Sequence, residues 1–147
     1  MSFRFRLETI LKLRRSQERA EQLALAGLRQ QLAAIDRRLE EIQHARALSR
    51  EAMTRELASG VIANEVHFQF ECEKEEDARR LKLIERRIEL EEEYQLQARA
   101  FTESRQKRET LEKLSDDEKA AYVLDRNRRE QQESDELFLR GPRKTGM

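Results

Sequence analysis

Tryptophan is absent from this chain, cysteine and proline occur once each, and glycine only four times in 147 residues. The single thiol, Cys72, excludes an internal disulfide framework and fits a reducing compartment. So few backbone breakers exclude a loop-rich fold, and they argue against disorder as well, because disordered chains are usually rich in them. Apolar residues are scarce: 37% are hydrophobic and 41% charged, where an ordinary domain carries roughly half and a quarter. A conventional globular core cannot be closed from this composition. No run approaches the roughly 18 apolar residues of a membrane helix. The N-terminus lacks the apolar block and cleavage site of a secretory signal, and Glu8 follows the Arg-bearing MSFRFR too soon for a transit peptide. There is no surplus of either charge, since 30 bases balance 30 acids, so a general polyelectrolyte role toward nucleic acid or membrane has no electrostatic basis.

What remains is long helix. Breakers cluster at Ser59-Gly60, with Asn64 shortly after, and at Gly141-Pro142, with Gly146 beyond. The expected organisation is a single coiled-coil hairpin over residues 1–147: helix one about 4–58, a turn about 59–64, helix two about 65–138 and a disordered tail about 139–147. Leu25, Leu28, Leu32, Ile35, Leu39 and Ile42 step alternately by three and four, which is the seam of a coiled coil. On the second segment Leu81, Ile84 and Ile88, then Ala98 and Phe101, then Leu111 and Leu114 are the candidates to answer it. A short turn between two such helices predicts antiparallel neighbours. If 58 faces 65, paired positions add to about 123, which sets Ile42 on Leu81, Leu39 on Ile84, Ile35 on Ile88 and Leu25 on Ala98. Leu32 then falls beside Glu91 and Leu28 beside Gln95, a weaker middle that Tyr94 would patch. The fold class is therefore all-α, a long two-helix antiparallel coiled-coil hairpin.

In that register residue 4 faces about 119, so helix two overhangs at the terminal end over residues 120–138. This stretch holds Ala121, Tyr122, Val123, Leu124, Leu137 and Phe138 among charged residues, and a lone helix bearing apolar groups is poorly stable unless a partner receives it. Charge is distributed unevenly: residues 1–60 carry net +4, residues 65–104 net −5 and residues 105–147 net +1, with Arg126, Arg128 and Arg129 on the overhang. The two arms attract one another.

No constellation for catalysis stands out. Glu71, Glu73, Glu75, Glu76 and Asp77, and Glu91, Glu92 and Glu93, point around a helix rather than to one place. His67 and Cys72 have no companions at zinc-ligand spacing, and no Gly-rich phosphate loop occurs. Lys12, Arg14, Arg15 and Arg19 are diluted by Glu8, Glu18 and Glu21 without interleaved aromatics, which argues against nucleic acid. We expect no enzymatic activity, no catalytic residues, no metal and no cofactor.

Two segments, FRFRLETILKLR at residues 3–14 and RNRREQQESDEL at residues 126–137, resemble the opening and closing motifs of the FliJ family of flagellar export proteins; length and the central turn at Gly60 agree. The resemblance implies a cytoplasmic stalk component of the flagellar type III export apparatus, similar to the gamma subunit of rotary ATPases and serving flagellum biogenesis and motility. It implies insertion into the hexameric export ATPase ring, promotion of its assembly and activity, a link to the cytoplasmic linker of the export gate, and escort of export chaperones. Such a stalk would be a monomer at the cytoplasmic face of the membrane-embedded apparatus, in peripheral association without inserting into the membrane. The ring-facing residues implied are Phe5, Leu7, Glu8, Leu11, Tyr122, Arg129, Glu130, Gln131, Asp135 and Glu136. For the gate, the aromatics beside the turn, Phe68 and Phe70, are the candidates, since two residues apart on a helix they cannot both face the seam. The alternatives are the stalk of a virulence-type injectisome, or a scaffolding coiled coil that dimerises through helix two and has no ATPase partner.

Overall fold

The computed structural model describes residues 2–60 and 63–141. It contains two helices, α1 (Glu8–Ala58) and α2 (Ala63–Arg140), and no strand among the described residues. They pack against each other as an antiparallel hairpin, since the α2 partners of Arg29, Asp36, Arg46 and Arg50 are Tyr94, Arg87, Asp77 and Glu73 in turn. Each of these pairs adds to 123, the expected register.

The helix ends differ from expectation for local reasons. α1 begins at Glu8 rather than 4, because Phe5 is buried outside the helix and its carbonyl accepts the Glu8 N–H at 3.1 Å. α2 begins at Ala63 rather than 65: the first N–H groups of a helix need no internal acceptor, so Asn64 is tolerated there. It runs to Arg140 rather than 138, because nothing before Gly141 interrupts it, and the Gly141 N–H still reaches the Leu137 carbonyl at 3.0 Å. Residues 139 and 140 are therefore helix rather than tail, and residues 142–147 of the expected tail and 61–62 of the turn lie outside the described residues. Between the helices Ser59 donates its N–H and hydroxyl to the Glu56 carbonyl, and Gly60 takes φ 91°, a left-handed conformation that side chains resist.

The chain forms two compact units, Glu21–Phe101 and Met1–Ala20 with Thr102–Met147. In the first, the α1 stripe is as expected, with Leu25, Leu28, Leu32, Ile35, Leu39 and Ile42 half-buried. The α2 stripe is not. Its inward positions are Leu83, Arg87, Leu90, Tyr94 and Gln97, stepping by four and three, with Ile84, Ala98 and Phe101 at half-buried positions beside them or on them. Leu81 and Ile88 stand 57% and 56% exposed, so Ile42 and Ile35 do not meet them as layers. The middle is not weak either, because Leu90, at 1% exposed, is the most enclosed side chain described, and Arg29 donates to the Tyr94 hydroxyl at 3.1 Å beside it. Apolar spacing alone favoured Leu81, Ile84 and Ile88, whereas Arg87 and Gln97 occupy inward positions by directing their polar ends to Asp36 and Glu21.

In the second unit Phe5 and Leu11, at 7% and 2% exposed, form the core with half-buried Leu7 and Leu111, while Leu114 is exposed. Arg14, Glu18, Ser104, Arg108, Ser115, Glu118 and Tyr122 are half-buried seam positions as well.

Candidate partner interface

Each expected ring-facing residue belongs to the terminal unit, and they divide sharply by environment. Phe5, Leu7, Glu8 and Leu11 are buried or half-buried, and the first turn of α1 is held on them through the Leu11 N–H to the Leu7 carbonyl at 2.9 Å. Tyr122 is half-buried against Phe3, ring centroids 5.7 Å apart, so the overhang begins after Tyr122 rather than at 120. Phe3 reaches that far because residues 2–5 are not helical, and an extended chain advances more than twice as far per residue as a helix.

From Val123 to Arg140 every α2 residue is exposed. Val123 and Leu124 at one end and Leu137, Phe138 and Leu139 at the other present large apolar side chains to solvent, Phe138 at 76%. Charges between them pair along the helix: Arg126 with Glu130 at 3.3 Å, and Arg129 with Asp125 at 3.0 Å. Gln131 donates to Asp135 at 3.2 Å, and Glu136 is exposed. Such solvated pairs each contribute only tenths of a kcal/mol.

An ion-pair cluster that apolar spacing did not reveal closes the seam just behind this end. Arg108 donates through Nε and Nη2 to both oxygens of Glu18, at 2.6 and 3.1 Å, and through Nη1 to Glu112 at 2.7 Å; Arg15 donates to the other Glu112 oxygen at 3.2 Å. Arg108 and Glu18 are 20% and 18% exposed, so water reaches them only in part. Hydrogen bonding from Arg108 holds the carboxyls of Glu18 and Glu112 below the usual carboxylate range, against the opposing effect of burial, with Arg15 assisting at Glu112. The same bonds, first from Glu18 and then from Glu112, raise the affinity of Arg108 for its proton. The legible signal was positional: Arg14, Glu18, Arg108 and Ser115 continue the seam stepping, and opposite charges fall on facing helices.

In the other unit Phe68 and Phe70 are 69% and 56% exposed, so neither faces the seam. Cys72 is a half-buried free thiol and His67 lies 3.9 Å from Glu71. Among the described residues no group of three or more His, Cys, Asp or Glu side chains could hold a metal ion, and no helix is long and apolar enough to cross a membrane.

Compared with known proteins, the chain matches the family model described as Flagellar FliJ protein over residues 3–146. No curated protein and no solved structure matches it significantly.

Proposed function

The chain belongs to the FliJ family and is a component of the flagellar type III export apparatus; from that premise we propose that it is the stalk of the export ATPase, entering the hexameric ring by its terminal unit and promoting assembly and activity. The observation that carries this reading is the α2 overhang: 18 residues, Val123–Arg140, that lie past the last α1-side contact and expose five large apolar side chains. A helix of that length is marginal in water by itself and is stabilised when its apolar groups are received by a partner. Phe5, Leu7 and Leu11 act here by holding α1 against α2, and Arg129, Glu130, Gln131, Asp135 and Glu136 belong to the contacting segment.

The work of such a stalk is allosteric. An asymmetric helix pair in a near-symmetric ring contacts unlike surfaces on successive subunits and biases their nucleotide states, with a coupling of about 1–3 kcal/mol per step. The chain itself carries out no chemistry, binds no cofactor and acts as a monomer on the cytoplasmic side. Exposed Phe68 and Phe70 support a second contact, with the cytoplasmic linker of the export gate, and family membership supports escort of export chaperones.

The test is steady-state ATP hydrolysis by the cognate export ATPase, titrated with the full chain and with a version ending at Tyr122, which keeps the Phe3 contact. Stimulation by the full chain and its loss in the shortened one is the expected result. Equal stimulation by both removes the overhang from the mechanism, and no effect of either leaves a scaffolding role.

A further inference from the structure

Past Tyr122 the face of α2 that packs on α1 turns polar: the stepping of Ser115, Glu118 and Tyr122 continues through Asp125, Arg129, Gln132 and Glu136. The opposite side of the helix behaves differently. Ala120, Leu124, Asn127, Gln131, Ser134 and Phe138 follow at steps of four and three, so they share one heptad face, and none is charged. Every other heptad face between residues 120 and 138 carries at least one Asp, Glu or Arg. All six side chains are exposed.

The rim of this face carries both signs, Arg128 and Asp135 along one side and Glu130 along the other, with Glu130 paired to Arg126 and Asp135 accepting from Gln131. A charged group pressed onto the middle of the stripe would lose its water against uncharged side chains, with rim charges of both signs beside it, which is costly. Charge therefore selects an uncharged occupant. It also disfavours a second copy of the chain, since antiparallel pairing through the stripe sets Arg128 against Arg128 and Glu130 against Glu130, and parallel pairing sets Glu130 against Asp135. Residues 120–138 extend about 27 Å at 1.5 Å per residue, which is the reach of a protein groove rather than of a small ligand.

We infer that the Ala120–Phe138 stripe is the docking face, and that its occupant is an uncharged groove, apolar at both ends where Leu124 and Phe138 lie and able to hydrogen-bond in the middle to Asn127, Gln131 and Ser134. The inference rests on the stalk reading, and the groove belongs to the export ATPase. Recognition of this kind is insensitive to salt, unlike the contact of a charged helix with an oppositely charged wall.

The experiment is calorimetric binding of the full-length chain to the purified ATPase at about 50 and 300 mM salt, with far-UV circular dichroism of each variant. Leu124→Glu combined with Gln131→Glu charges the stripe at exposed helical positions. Arg126→Glu combined with Arg128→Glu alters only the rim. The stripe variant is expected to bind at least about tenfold more weakly and the rim variant within about threefold, with wild-type affinity changing less than about threefold across the salt range. Wild-type binding that the stripe variant retains overturns the docking face and leaves the stalk reading intact. Rim-variant weakening equal to that of the stripe variant, with a steep salt dependence, overturns the uncharged groove. Absence of wild-type binding overturns the stalk reading and this inference together.

Discussion

Arg108 stands where a two-helix seam ordinarily holds leucine, and it is tolerated there because Glu18 takes both ends of its guanidinium fork and Glu112 takes a third N–H. At about one-fifth exposure the pair is neither fully desolvated nor freely solvated. A double-mutant cycle with Glu18→Gln and Arg108→Gln should therefore return a coupling of about 1–2 kcal/mol, between surface and buried values. Chemical denaturation measures it, and a coupling indistinguishable from zero would reduce the cluster to surface decoration. The pH dependence follows from the lowered acidities. Glu18 and Glu112 bind protons less readily folded than unfolded, so their contribution is complete above the ordinary carboxylate value of 4.5 and fades as pH falls through their lower folded values. The thermal midpoint of the wild type should drop more steeply below that pH than that of Glu18→Gln.

At the scale of the element, α1 and α2 differ in how far spacing revealed their inward faces. Leu25 to Ile42 is a clean apolar seam whose half-burial followed directly from its three-and-four stepping. On α2 the same criterion selected Leu81, Ile88 and Leu114, which face solvent, and passed over Leu90. Polar inward residues such as Arg87, Tyr94 and Gln97 satisfied their ends across the helix pair, and this pairing is invisible until the partner helix is in place. The consequence is measurable: Leu90→Ala should destabilise by about 2–3 kcal/mol, whereas Ile88→Ala and Leu81→Ala should each cost less than about 1 kcal/mol. Equal losses at all three would restore the seam suggested by apolar spacing.

For the molecule as a whole, the core and the exposed helix end segregate within the terminal unit. Phe5 and Leu11 are interior, so Leu11→Asp should lower the thermal midpoint by unseating the start of α1, and any lost ATPase stimulation in that variant reports folding. Among the described residues the chain ending at Tyr122 removes only exposed ones, so its thermal midpoint should stay within a few degrees of wild type while stimulation disappears. This contrast separates the residues that build the end from those proposed to meet a partner, a division the two family-like segments concealed because each was read as one contacting unit.

Composition and breaker placement by themselves determined two long helices, an antiparallel turn at Gly60, a register adding to 123 near the turn and an unpaired end of α2, because helix formation and hairpin reversal depend on local residue types. The terminal motifs determined the family. Only the tertiary structure decided which side of α2 faces inward, that the core of the terminal unit is Phe5 and Leu11, that Phe3 carries the pairing to Tyr122, and that Glu18 and Arg108 close the seam. Those outcomes depend on what a facing helix offers to a polar side chain, and that is a property of two segments brought together rather than of either one read alone.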